Sequence, residues 1–402
     1  MATALLFSMS SFAQQALFDN VPVVSPELNA NHTVTFRLKA PNAQKVQITG
    51  DFLPTKQIDT PVGKYDAPGV ADLVKDDKGV WSFTSTNLSP ELYSYNLLLD
   101  GVKIVDPGSV YITRDITSVT NIFILSDKKG DCGDLYTVNE VPHGNVQKVW
   151  YDSPTLKMQR RMTVYTPAGY DKGKDYPVLY LLHGAGGDED AWTTLGRASQ
   201  ILDNLIATGK AKPMVVVMTN GNPNCQAAPG EWSAGMYVPS FYGYQGAKAV
   251  ATMDESFPDV MNYVESHYKV GKDKAHRAIC GLSMGGGHSF DISRRFPNKF
   301  DYVGLFSAGL HVGKTGDFRT DFYKMLQEDE EAKQQLATLF KNKPKLYWIG
   351  MGKTDFLYKS TAGLRRYFDE KGYKYTYMET EGGHIWRNWR VYLTEFAQKI
   401  FK

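Results

Sequence analysis

The sequence has few cysteines, almost no net charge and no long apolar run, and each shortage excludes a class of protein. Cysteine occurs at 3 of 402 positions, and no two of these have the C-x-x-C spacing of structural zinc sites and thioredoxin-like motifs. Lys and Arg number 45 against 43 for Asp and Glu, so the chain lacks the basic excess of nucleic-acid binders. After the first residues, no stretch reaches the roughly 18 uninterrupted apolar residues of a transmembrane helix. We therefore expect no metal site, no nucleic-acid partner and no membrane span.

Aromatic residues and glycine are plentiful instead. The chain has 24 Tyr, 20 Phe and 7 Trp, together 13% of its residues, and 36 Gly. This mixture is typical of strand-rich cores and of surfaces that stack on sugar or phenolic rings. Hydrophobic residues at 42% and charged residues at 22% indicate a folded chain. At about 150 residues per domain, the length predicts two or three domains.

Residues 1–19 resemble the end of a secretory signal peptide. A mostly apolar stretch fills positions 2–7, and the segment Ser11-Phe12-Ala13 follows, which predicts cleavage after Ala13 or nearby. The positively charged start of a complete signal is missing, so the alternative is an ordinary N-terminal segment. The pattern favours a secreted or periplasmic protein.

Residues 20–127 predict a β-sandwich. Turn-forming pairs such as Asp100-Gly101 separate short runs in which apolar and polar side chains alternate. Because no helical stripe interrupts these runs, we expect an all-β, immunoglobulin-like sandwich. The predicted strands are residues 34–38, 46–48, 81–84, 93–97 and 122–125.

Two segments of this half also carry a family resemblance. The segment Thr33-Val34-Thr35-Phe36-Arg37-Leu38-Lys39-Ala40-Pro41-Asn42-Ala43 and the later run Gly79-Val80-Trp81 are similar to a carbohydrate-binding module of family 48. The resemblance implies contact with a glycan, although such modules also serve as structural partners of a catalytic domain. Trp81 and Tyr95 are candidate glycan platforms. We favour the alternative that both lie in the core, because buried aromatics dominate such sandwiches.

After a polar linker at residues 128–148, the periodicity changes to that of an α/β domain over residues 149–402. Strands that alternate with helices indicate a mostly parallel sheet covered on both faces. Apolar runs predict buried strands at residues 178–182, 214–218, 278–280, 303–306 and 346–349. Helical patterns separate them, including residues 198–207, 255–267 and 360–370.

The segment Gly281-Leu282-Ser283-Met284-Gly285 matches G-x-S-x-G, the motif of a nucleophile elbow. It follows a predicted strand and precedes a helical stretch, which is the setting that the elbow requires. Flanking glycines let the strained turn pass close to neighbouring backbone. A chance match in a glycine-rich chain is the alternative, and the strand–turn–helix context argues against it. We predict an α/β-hydrolase fold with Ser283 as the nucleophile.

In this fold the acid and then the base follow the nucleophile along the chain. His384 comes after a strand-like segment at 373–378 and after two glycines that give the backbone freedom to present the ring. His311 follows the strand after the nucleophile helix, which is early for the base. We predict His384 as the base and His311 as a loop residue near the cleft.

The acid is predicted from the same chain order. Asp355 lies in the loop after the predicted strand at 346–349 and before His384, where the orienting carboxylate is expected. Glu379 and Glu381 compete because they are closer to the base in sequence. We predict Asp355, and local polar support as the role of Glu381.

The oxyanion hole requires two backbone donors, the N–H of Met284 and one from the loop after an earlier strand. The segment Leu181-Leu182-His183-Gly184-Ala185-Gly186-Gly187 supplies that loop. We expect His183 to shape the loop, and His288, on the helix after the nucleophile, to pack behind it. Cys280 precedes the motif in an apolar run and is expected to be a buried small hydrophobe.

These pieces together resemble carbohydrate esterase family 1, the group of feruloyl esterases and acetyl xylan esterases, over about residues 160–402. The resemblance implies that Ser283 is the nucleophile, His384 the base and Asp355 its orienter, with Ala185 and Met284 as oxyanion donors. The family uses no metal or organic cofactor, so none is expected. The matching pieces are Leu182-His183-Gly184, Gly281-Leu282-Ser283-Met284-Gly285-Gly286, residues 352–355 and Gly383-His384-Ile385-Trp386-Arg387-Asn388-Trp389-Arg390.

Residues 222–246 form a long, aromatic and Gly-rich insertion after a predicted strand. A loop there lies at the strand-end face, where ligands bind in open α/β sheets. Trp232, Tyr237 and Tyr242 are therefore candidate walls for a phenolic acyl ring; the alternative is a lid packed on itself. Trp386, just after the base, either lines the same pocket or simply packs.

The hypothesis that follows is a secreted or periplasmic serine esterase. It releases ferulic or related hydroxycinnamic acids from plant xylan and xylo-oligosaccharides, because a phenolic ring suits aromatic walls better than an acetyl group does. One alternative is an acetyl xylan esterase of the same family, acting on acetylated xylan. The alternative from a different class is a glycan-binding protein with a vestigial esterase domain.

Overall fold

The computed structural model describes residues 23–60, 63–237, 248–312 and 321–402, and the predicted signal-peptide remnant lies outside these ranges. Up to residue 127 the described chain forms strands and no helix. The strands are β1 (Glu27–Leu28), β2 (Val34–Lys39), β3 (Val46–Gly50), β4 (Lys56–Thr60), β5 (Gly63–Ala67), β6 (Gly69–Asp72), β7 (Val74–Lys75), β8 (Val80–Thr84), β9 (Glu91–Leu99), β10 (Val102–Ile104), β11 (Ile112–Asp115) and β12 (Ser118–Leu125).

Two antiparallel sheets make the sandwich. One has the order β1-β2-β8-β7, the other has the order β11-β12-β9-β3-β6 with β10 beside β9, and β4 and β5 form a separate hairpin. Side chains of both sheets meet in a shared core. Phe36 of β2, which has no exposed surface, lies with its ring centroid 5.6 Å from that of Phe123 of β12. The structure confirms the predicted all-β sandwich.

Trp81 and Tyr95 belong to this core. Trp81 is 8% exposed, and its indole N–H donates to the carbonyl oxygen of Ala40 at 2.9 Å. Tyr95 is 1% exposed, and its hydroxyl donates to the Asp106 carboxylate at 2.9 Å. The packing alternative is therefore confirmed for both rings, and neither forms a glycan platform on the surface.

A helix in the connector and an α/β unit follow. Helix α1 (Cys132–Tyr136) lies between the two halves. The described strands of the second half are β13 (Asn145–Ser153), β14 (Met158–Thr166), β15 (Val178–Leu182), β16 (Val215–Thr219), β17 (Arg277–Leu282), β18 (Tyr302–Phe306), β19 (Leu346–Gly352) and β20 (Thr376–Thr380). The described helices are α2 (Ala191–Thr194), α3 (Ala198–Ala207), α4 (Met253–His267), α5 (Met284–Arg295), α6 (Phe322–Glu328), α7 (Glu330–Lys341), α8 (Tyr358–Lys371) and α9 (Trp386–Ala397).

The strands of the second half form one sheet in the order β13-β14-β16-β15-β17-β18-β19-β20. The pairs from β16 through β15 and β17 to β20 are parallel, whereas β13 and β14 join antiparallel at one edge. Every residue of β15, β16, β17 and β18 is buried, as expected for parallel strands with both faces covered. The mostly parallel sheet predicted from the sequence is confirmed, with an antiparallel edge added.

Two apolar layers cover the faces of this sheet. Helices α4 to α8 contribute to one layer, and α2, α3 and α9 contribute to the other. Cys280 of β17 lies in the second layer with no exposed surface, as predicted, and burial raises the pKa of its thiol well above the usual value. Among the helices of the described residues, none is long and apolar enough to cross a membrane.

The segment predicted as a linker is packed against both halves. The Asp131 side chain accepts from the N–H of Asp134 and so caps α1, and Tyr136 at the end of this helix is 1% exposed. The guanidinium of Arg197 donates to the Tyr136 carbonyl at 2.9 Å. Asn204 of α3 adds bonds to the carbonyls of Leu135 and Thr137. These contacts anchor the connector to the α/β unit.

The sandwich and the α/β unit share a buried ion pair. Arg390 of α9 is 3% exposed and donates to the Glu91 carboxylate and to the Leu92 carbonyl of β9, each at 3.1 Å. Leu92 and Ile122 of the sandwich lie in the same apolar layer as α3 and α9. The two halves therefore pack through a shared core as well as through the connector.

Candidate active site

Ser283 occupies the sharp turn between β17 and α5. Its backbone has φ 54° and ψ −115°, a conformation that is strained for a residue with a side chain. The flanking residues must be glycines, because a side chain at either position would clash. A Cβ at Gly281 would lie 2.5 Å from the backbone of Gly285, and a Cβ at Gly285 would lie 2.5 Å from the carbonyl oxygen of His183. The chain has the geometry of a nucleophile elbow at the predicted position.

His384 is hydrogen-bonded to Asp355. The Nδ1 atom of His384 lies 2.9 Å and 3.1 Å from the two carboxylate oxygens of Asp355. The Asp355 side chain has no exposed surface, and one of its oxygens also accepts from the N–H of Leu357 at 2.9 Å. Because Nδ1 is engaged, Nε2 is the ring nitrogen left for proton transfer.

The residues that competed with this pair in the sequence have other partners or positions. Glu379 accepts hydrogen bonds from the hydroxyls of Tyr358 and Tyr377, which lower the pKa of its carboxyl group. Glu381 pairs with Lys353 on the surface. His311 is exposed in the loop after β18. Each of these arrangements leaves Asp355 as the partner of His384.

The segment that follows His384 packs against a residue bonded to the end of β15. Trp386 packs edge-on against Trp192 with ring centroids 5.3 Å apart. The indole N–H of Trp192 donates to the carbonyl oxygen of Leu182 at the end of β15, which is the neighbour of β17 in the sheet. No hydrogen bond joins Ser283 to His384 among the described residues. Such bonds are often long without substrate and tighten when it binds.

The loop after β15 lies beside the nucleophile. A Cβ at Gly184 would come within 3.2 Å of the Ser283 Cβ. Within the described ranges, the N–H groups of Ala185 and Met284 donate to no other residue, so both are available to a ligand. Met284 is also the first residue of α5, and a helix N-terminus favours negative charge. Both donors that the sequence resemblance implied are thus at this edge of the sheet.

His183 holds this loop in place. Its ring is 1% exposed, with Nδ1 2.7 Å from the carbonyl oxygen of Gly184 and Nε2 accepting from the N–H of Gly221 at 2.7 Å. Burial lowers the pKa of the ring, so the neutral form is favoured. The ring of His288 is half-buried, and desolvation at its position lowers its pKa to about 4. The first ring shapes the loop and the second lies on α5 behind it, where each was expected.

Three consecutive acids after the loop form a charge network that the sequence reasoning missed. Asp188 pairs with Arg114 at 2.5 Å, Glu189 pairs with Arg161 at 2.7 Å, and Asp190 pairs with Lys148 at 2.6 Å. Glu189 has no exposed surface and also accepts from the side chain of Asn220 at 2.9 Å and from the N–H of Ala228 at 2.9 Å. The run Asp188-Glu189-Asp190 is visible in the sequence as three adjacent negative charges. Its partners could not be predicted, because they lie in distant segments of the chain.

The predicted substrate residues have different fates. Trp386 is half-buried between Trp192 and Trp389, beside the base. Trp232 is half-buried on its own turn, and Tyr237 is 90% exposed. Tyr242 lies outside the described residues.

The root of the insertion is anchored by two buried arginines of β14. The guanidinium of Arg160 donates to the carbonyl oxygens of Asn220 at 2.7 Å and Asn222 at 2.8 Å. That of Arg161 donates to the carboxylate of Glu231 at 2.6 Å. The described start of the insertion is therefore fixed to the sheet next to the oxyanion loop.

The described residues contain no cluster of three or more His, Cys, Asp or Glu side chains arranged to hold a metal ion. The polar groups at this edge are instead a strained serine, a histidine–carboxylate pair and two backbone donors. This set matches the requirements of acyl transfer through a serine nucleophile.

Comparison with known proteins agrees with this geometry. The model of the family described as putative esterase matches residues 153–400. An endo-1,4-β-xylanase/feruloyl esterase of Xylanibacter ruminicola is 30% identical over 388 residues, which cover 94% of this chain and 46% of the relative. The chain thus spans about half the length of that relative.

Two solved structures share the fold. A CE1 ferulic acid esterase of Anaeromyces mucronatus is 26% identical, with a TM-score of 0.50, over 67% of this chain and 96% of that one. An enterobactin esterase of Shigella flexneri is only 14% identical but has a TM-score of 0.57 over 91% of this chain and 92% of that one, a likeness of fold alone. The family match, together with the nucleophile elbow and the fold, places this chain in the esterase family, the carboxylic ester hydrolases with an α/β-hydrolase fold.

Proposed function

We propose that this protein hydrolyses feruloyl and related hydroxycinnamoyl esters on plant xylan through Ser283, His384 and Asp355. The observation that carries the proposal is the hydrogen-bonded pair of His384 and buried Asp355, at the sheet edge where Ser283 occupies a strained elbow. The names of the relatives, feruloyl esterase and ferulic acid esterase, support the choice of acyl group.

The chemistry proceeds in two halves. In the first, the Ser283 hydroxyl attacks the ester carbonyl while His384 takes its proton, and the N–H groups of Met284 and Ala185 stabilise the oxyanion. His384 then gives the proton to the leaving sugar oxygen, which leaves an acyl-enzyme on Ser283. In the second half, His384 takes a proton from water as the water oxygen attacks the acyl carbonyl. The acyl–oxygen bond to Ser283 then breaks, His384 returns the proton to the Ser283 oxygen, and the acid is released.

Asp355 has a positioning role in both halves. It holds the Nδ1–H tautomer of His384 and stabilises the imidazolium that forms when Nε2 accepts a proton. Burial of its carboxylate and the hydrogen bond from Leu357 fix its orientation.

Aromatic side chains supply the acyl preference in this proposal. Trp386 lies beside the base, and the ring of Phe356 lies 4.5 Å from that of His384. We propose Trp386, with Trp232, Tyr237 and Tyr242 of the insertion, as the residues that contact the phenolic ring. A planar hydroxycinnamoyl group gains contact area against such walls, whereas an acetyl group gains almost none.

The decisive experiment compares acyl groups on the purified protein. We expect kcat/KM for methyl ferulate to exceed that for aryl acetates, and ferulic acid to be released from feruloylated xylan. Ser283→Ala should lower kcat by at least about 1,000-fold, since removal of a triad nucleophile leaves only the contributions of binding and the oxyanion hole. Ser293→Ala is the matched control and should keep wild-type activity, because Ser293 is a buried serine of the helix that follows Ser283 and its hydroxyl donates to the Phe290 carbonyl.

The outcomes separate the alternatives. Preference for aryl acetates and release of acetate from acetylated xylan would make the protein an acetyl xylan esterase. Binding to xylan by the sandwich without hydrolysis of any ester would favour a glycan-binding protein with a vestigial esterase domain. Activity of Ser283→Ala at the wild-type rate would contradict the proposed mechanism itself. Xylan as the partner and a secreted or periplasmic location belong to this proposal as well.

A further inference from the structure

A hairpin of the sandwich reaches the edge of the sheet that carries the active site. Strands β11 and β12 pair antiparallel, with Asp115 opposite Ser118, so Ile116 and Thr117 form the two-residue tip. Ile116 has a φ of 53°, as such tight turns require. The contacts of this tip are with the α/β unit.

The first contact is an ion pair with Asp188, the residue that directly follows the oxyanion loop. The guanidinium of Arg114 lies 2.5 Å from a carboxylate oxygen of Asp188, which is 3% exposed. The other oxygen of Asp188 accepts from the N–H of Asp190 at 3.0 Å. Within the described ranges, Arg114 supplies the only ion pair of Asp188. Because a buried carboxylate is costly without a cation, Arg114 stabilises this conformation of the loop.

The second contact is apolar. A Cβ placed on Gly186 would lie 2.6 Å from the Ile116 side chain, so Ile116 packs directly against the backbone of Gly186. Gly186 follows Ala185, whose N–H is one of the two oxyanion donors of the proposed mechanism. The tip of the hairpin therefore packs against the oxyanion loop next to Ala185, and the position of the Ala185 N–H depends on this loop.

The third contact is with the loop of the base. Asp115 lies near Trp386: burial raises the pKa of the Asp115 carboxyl group, while the nearby indole of Trp386 and the charge of Arg114 oppose that change. Trp386 follows His384 by two residues. One hairpin thus touches both loops that bear the catalytic groups.

We propose that Arg114 and Ile116 are positioning residues of the esterase reaction, which hold the oxyanion loop from the sandwich side and make the sandwich a part of the active site. The inference rests on the proposed serine esterase chemistry but not on the choice of acyl group. Its consequence is that hydrolysis of a small soluble ester, which makes no contact with a polysaccharide-binding surface, depends on the hairpin.

The test uses the full chain with Arg114→Ala and Ile116→Ala. Arg37→Ala is the matched control, because Arg37 pairs with Glu27 on the far sheet of the sandwich and its side chain is 30% exposed against 34% for Arg114. The readouts are kcat and KM for 4-nitrophenyl acetate and methyl ferulate, and the rate at which a fluorophosphonate probe labels Ser283. Arg114→Lys retains the charge and serves as the conservative variant if Arg114→Ala does not fold.

We expect both alanine variants to lose about 10- to 100-fold in kcat on both esters, since a misplacement of about 1 Å near the chemistry costs up to about 100-fold. KM should change little, and the thermal midpoint of Arg114→Ala should fall because Asp188 loses its cation, while both variants remain folded at the assay temperature. Arg37→Ala should match the wild type, and Arg114→Lys should recover part of the loss. The double variant Arg114→Ala/Asp188→Asn should be no slower than Asp188→Asn alone, because coupled residues are non-additive.

Wild-type kcat and labelling rate in the hairpin variants would overturn the proposal, and so would a loss confined to xylan substrates. Failure of the proposed function looks different. If the wild type is labelled at Ser283 yet does not hydrolyse methyl ferulate, the acyl preference is wrong, and labelling still measures the effect of the hairpin.

Discussion

The core of the sandwich and the active-site edge of the sheet bury opposite kinds of side chain. In the sandwich, the rings of Phe36, Tyr95 and Phe123 pack at centroid distances of 4.7 Å and 5.6 Å. At the active-site edge, the carboxylates of Asp355 and Glu189 are fully buried, and Ser283 holds a strained backbone. The first core is made of groups that are favourable to bury, and the second of groups that are costly to bury.

This difference separates the parts of the molecule that hold it together from the part that reacts. Buried charges and strained backbone persist only where the surrounding structure stabilises them, and they concentrate at functional sites. Arg161, Arg114 and the backbone N–H of Leu357 provide that support at the active-site edge. Changes in the sandwich core should therefore affect stability, and changes at the edge should affect turnover.

The largest expected effect tests the edge. Asp355→Asn should lower kcat by about 10,000-fold while the fold is retained, because the amide favours the wrong tautomer of His384. Kinetics on methyl ferulate, with circular dichroism to verify folding, provide the measurement. Glu379→Gln is the control, since Glu379 bonds two tyrosine hydroxyls instead. A larger loss in Glu379→Gln than in Asp355→Asn would show that the acid was misassigned.

The opposite experiment acts on the sandwich core. Phe36→Ala should lower the free energy of unfolding by about 3–5 kcal/mol, the usual cost of removing a buried phenyl ring. Below the unfolding transition its kcat should stay near wild type, since Phe36 lies in the core of the sandwich. Urea denaturation measures the loss. Phe83 is only half-buried, so Phe83→Ala should lower the free energy of unfolding by less than Phe36→Ala does. Equal losses would mean that burial of the ring does not determine the loss of stability.

His288 tests whether a desolvated titratable group near the active-site edge makes stability sensitive to pH. Its pKa of about 4 in the folded state is below the usual 6.5, so the unfolded chain binds the proton more tightly. Stability from this group is complete above pH 6.5 and is lost as the pH falls toward 4, by at most about 3 kcal/mol.

His288→Met should flatten this acid-side loss in urea denaturation curves at pH 7 and pH 4. Ser293→Ala in the same helix has no titrating side chain and should keep the wild-type difference between the two pH values. The same pH dependence in His288→Met and the wild type would assign the loss to other groups.

The smallest expected effect concerns the ion pair between the sandwich and the α/β unit. Glu91→Gln should cost about 2 kcal/mol of unfolding free energy, because it weakens charged hydrogen bonds to buried Arg390. Glu27→Gln removes an exposed ion pair with Arg37 and should cost less than about 1 kcal/mol. Denaturation followed by tryptophan fluorescence measures both. Equal costs would mean that the interface pair is no stronger than a surface pair.

Most of the α/β unit could be predicted from periodicity. The predicted strand at 178–182 and helix at 198–207 coincide with β15 and α3. The hairpin of β13 and β14 was missed, because β13 is largely exposed and Arg160-Arg161 interrupts the apolar pattern of β14. Helix α1 was missed because five residues are too few for a periodic signal. The strand predicted at 373–378 is β20, displaced toward the C-terminus, an edge strand with little burial to define its ends.

The candidate site was predictable where a local motif or chain order defines it. The G-x-S-x-G motif located the elbow, and the order of residues after it selected Asp355 and His384, which the structure pairs. The supporting charges were not predictable. Arg114 and Asp188 are 74 positions apart, and Glu91 and Arg390 are 299 apart, so only the folded chain brings each pair together.

The tryptophans beside the base also give the protein an optical reporter. Three of its seven tryptophans, Trp192, Trp386 and Trp389, lie in an edge-on series with ring centroids 5.3 Å and 5.2 Å apart. Trp389 ends this series 4.9 Å from the ring of His384. A hydroxycinnamate absorbs light in the range in which indole emits, so its arrival beside Trp386 would quench emission by energy transfer. Occupancy of the cleft can then be followed in real time without a label.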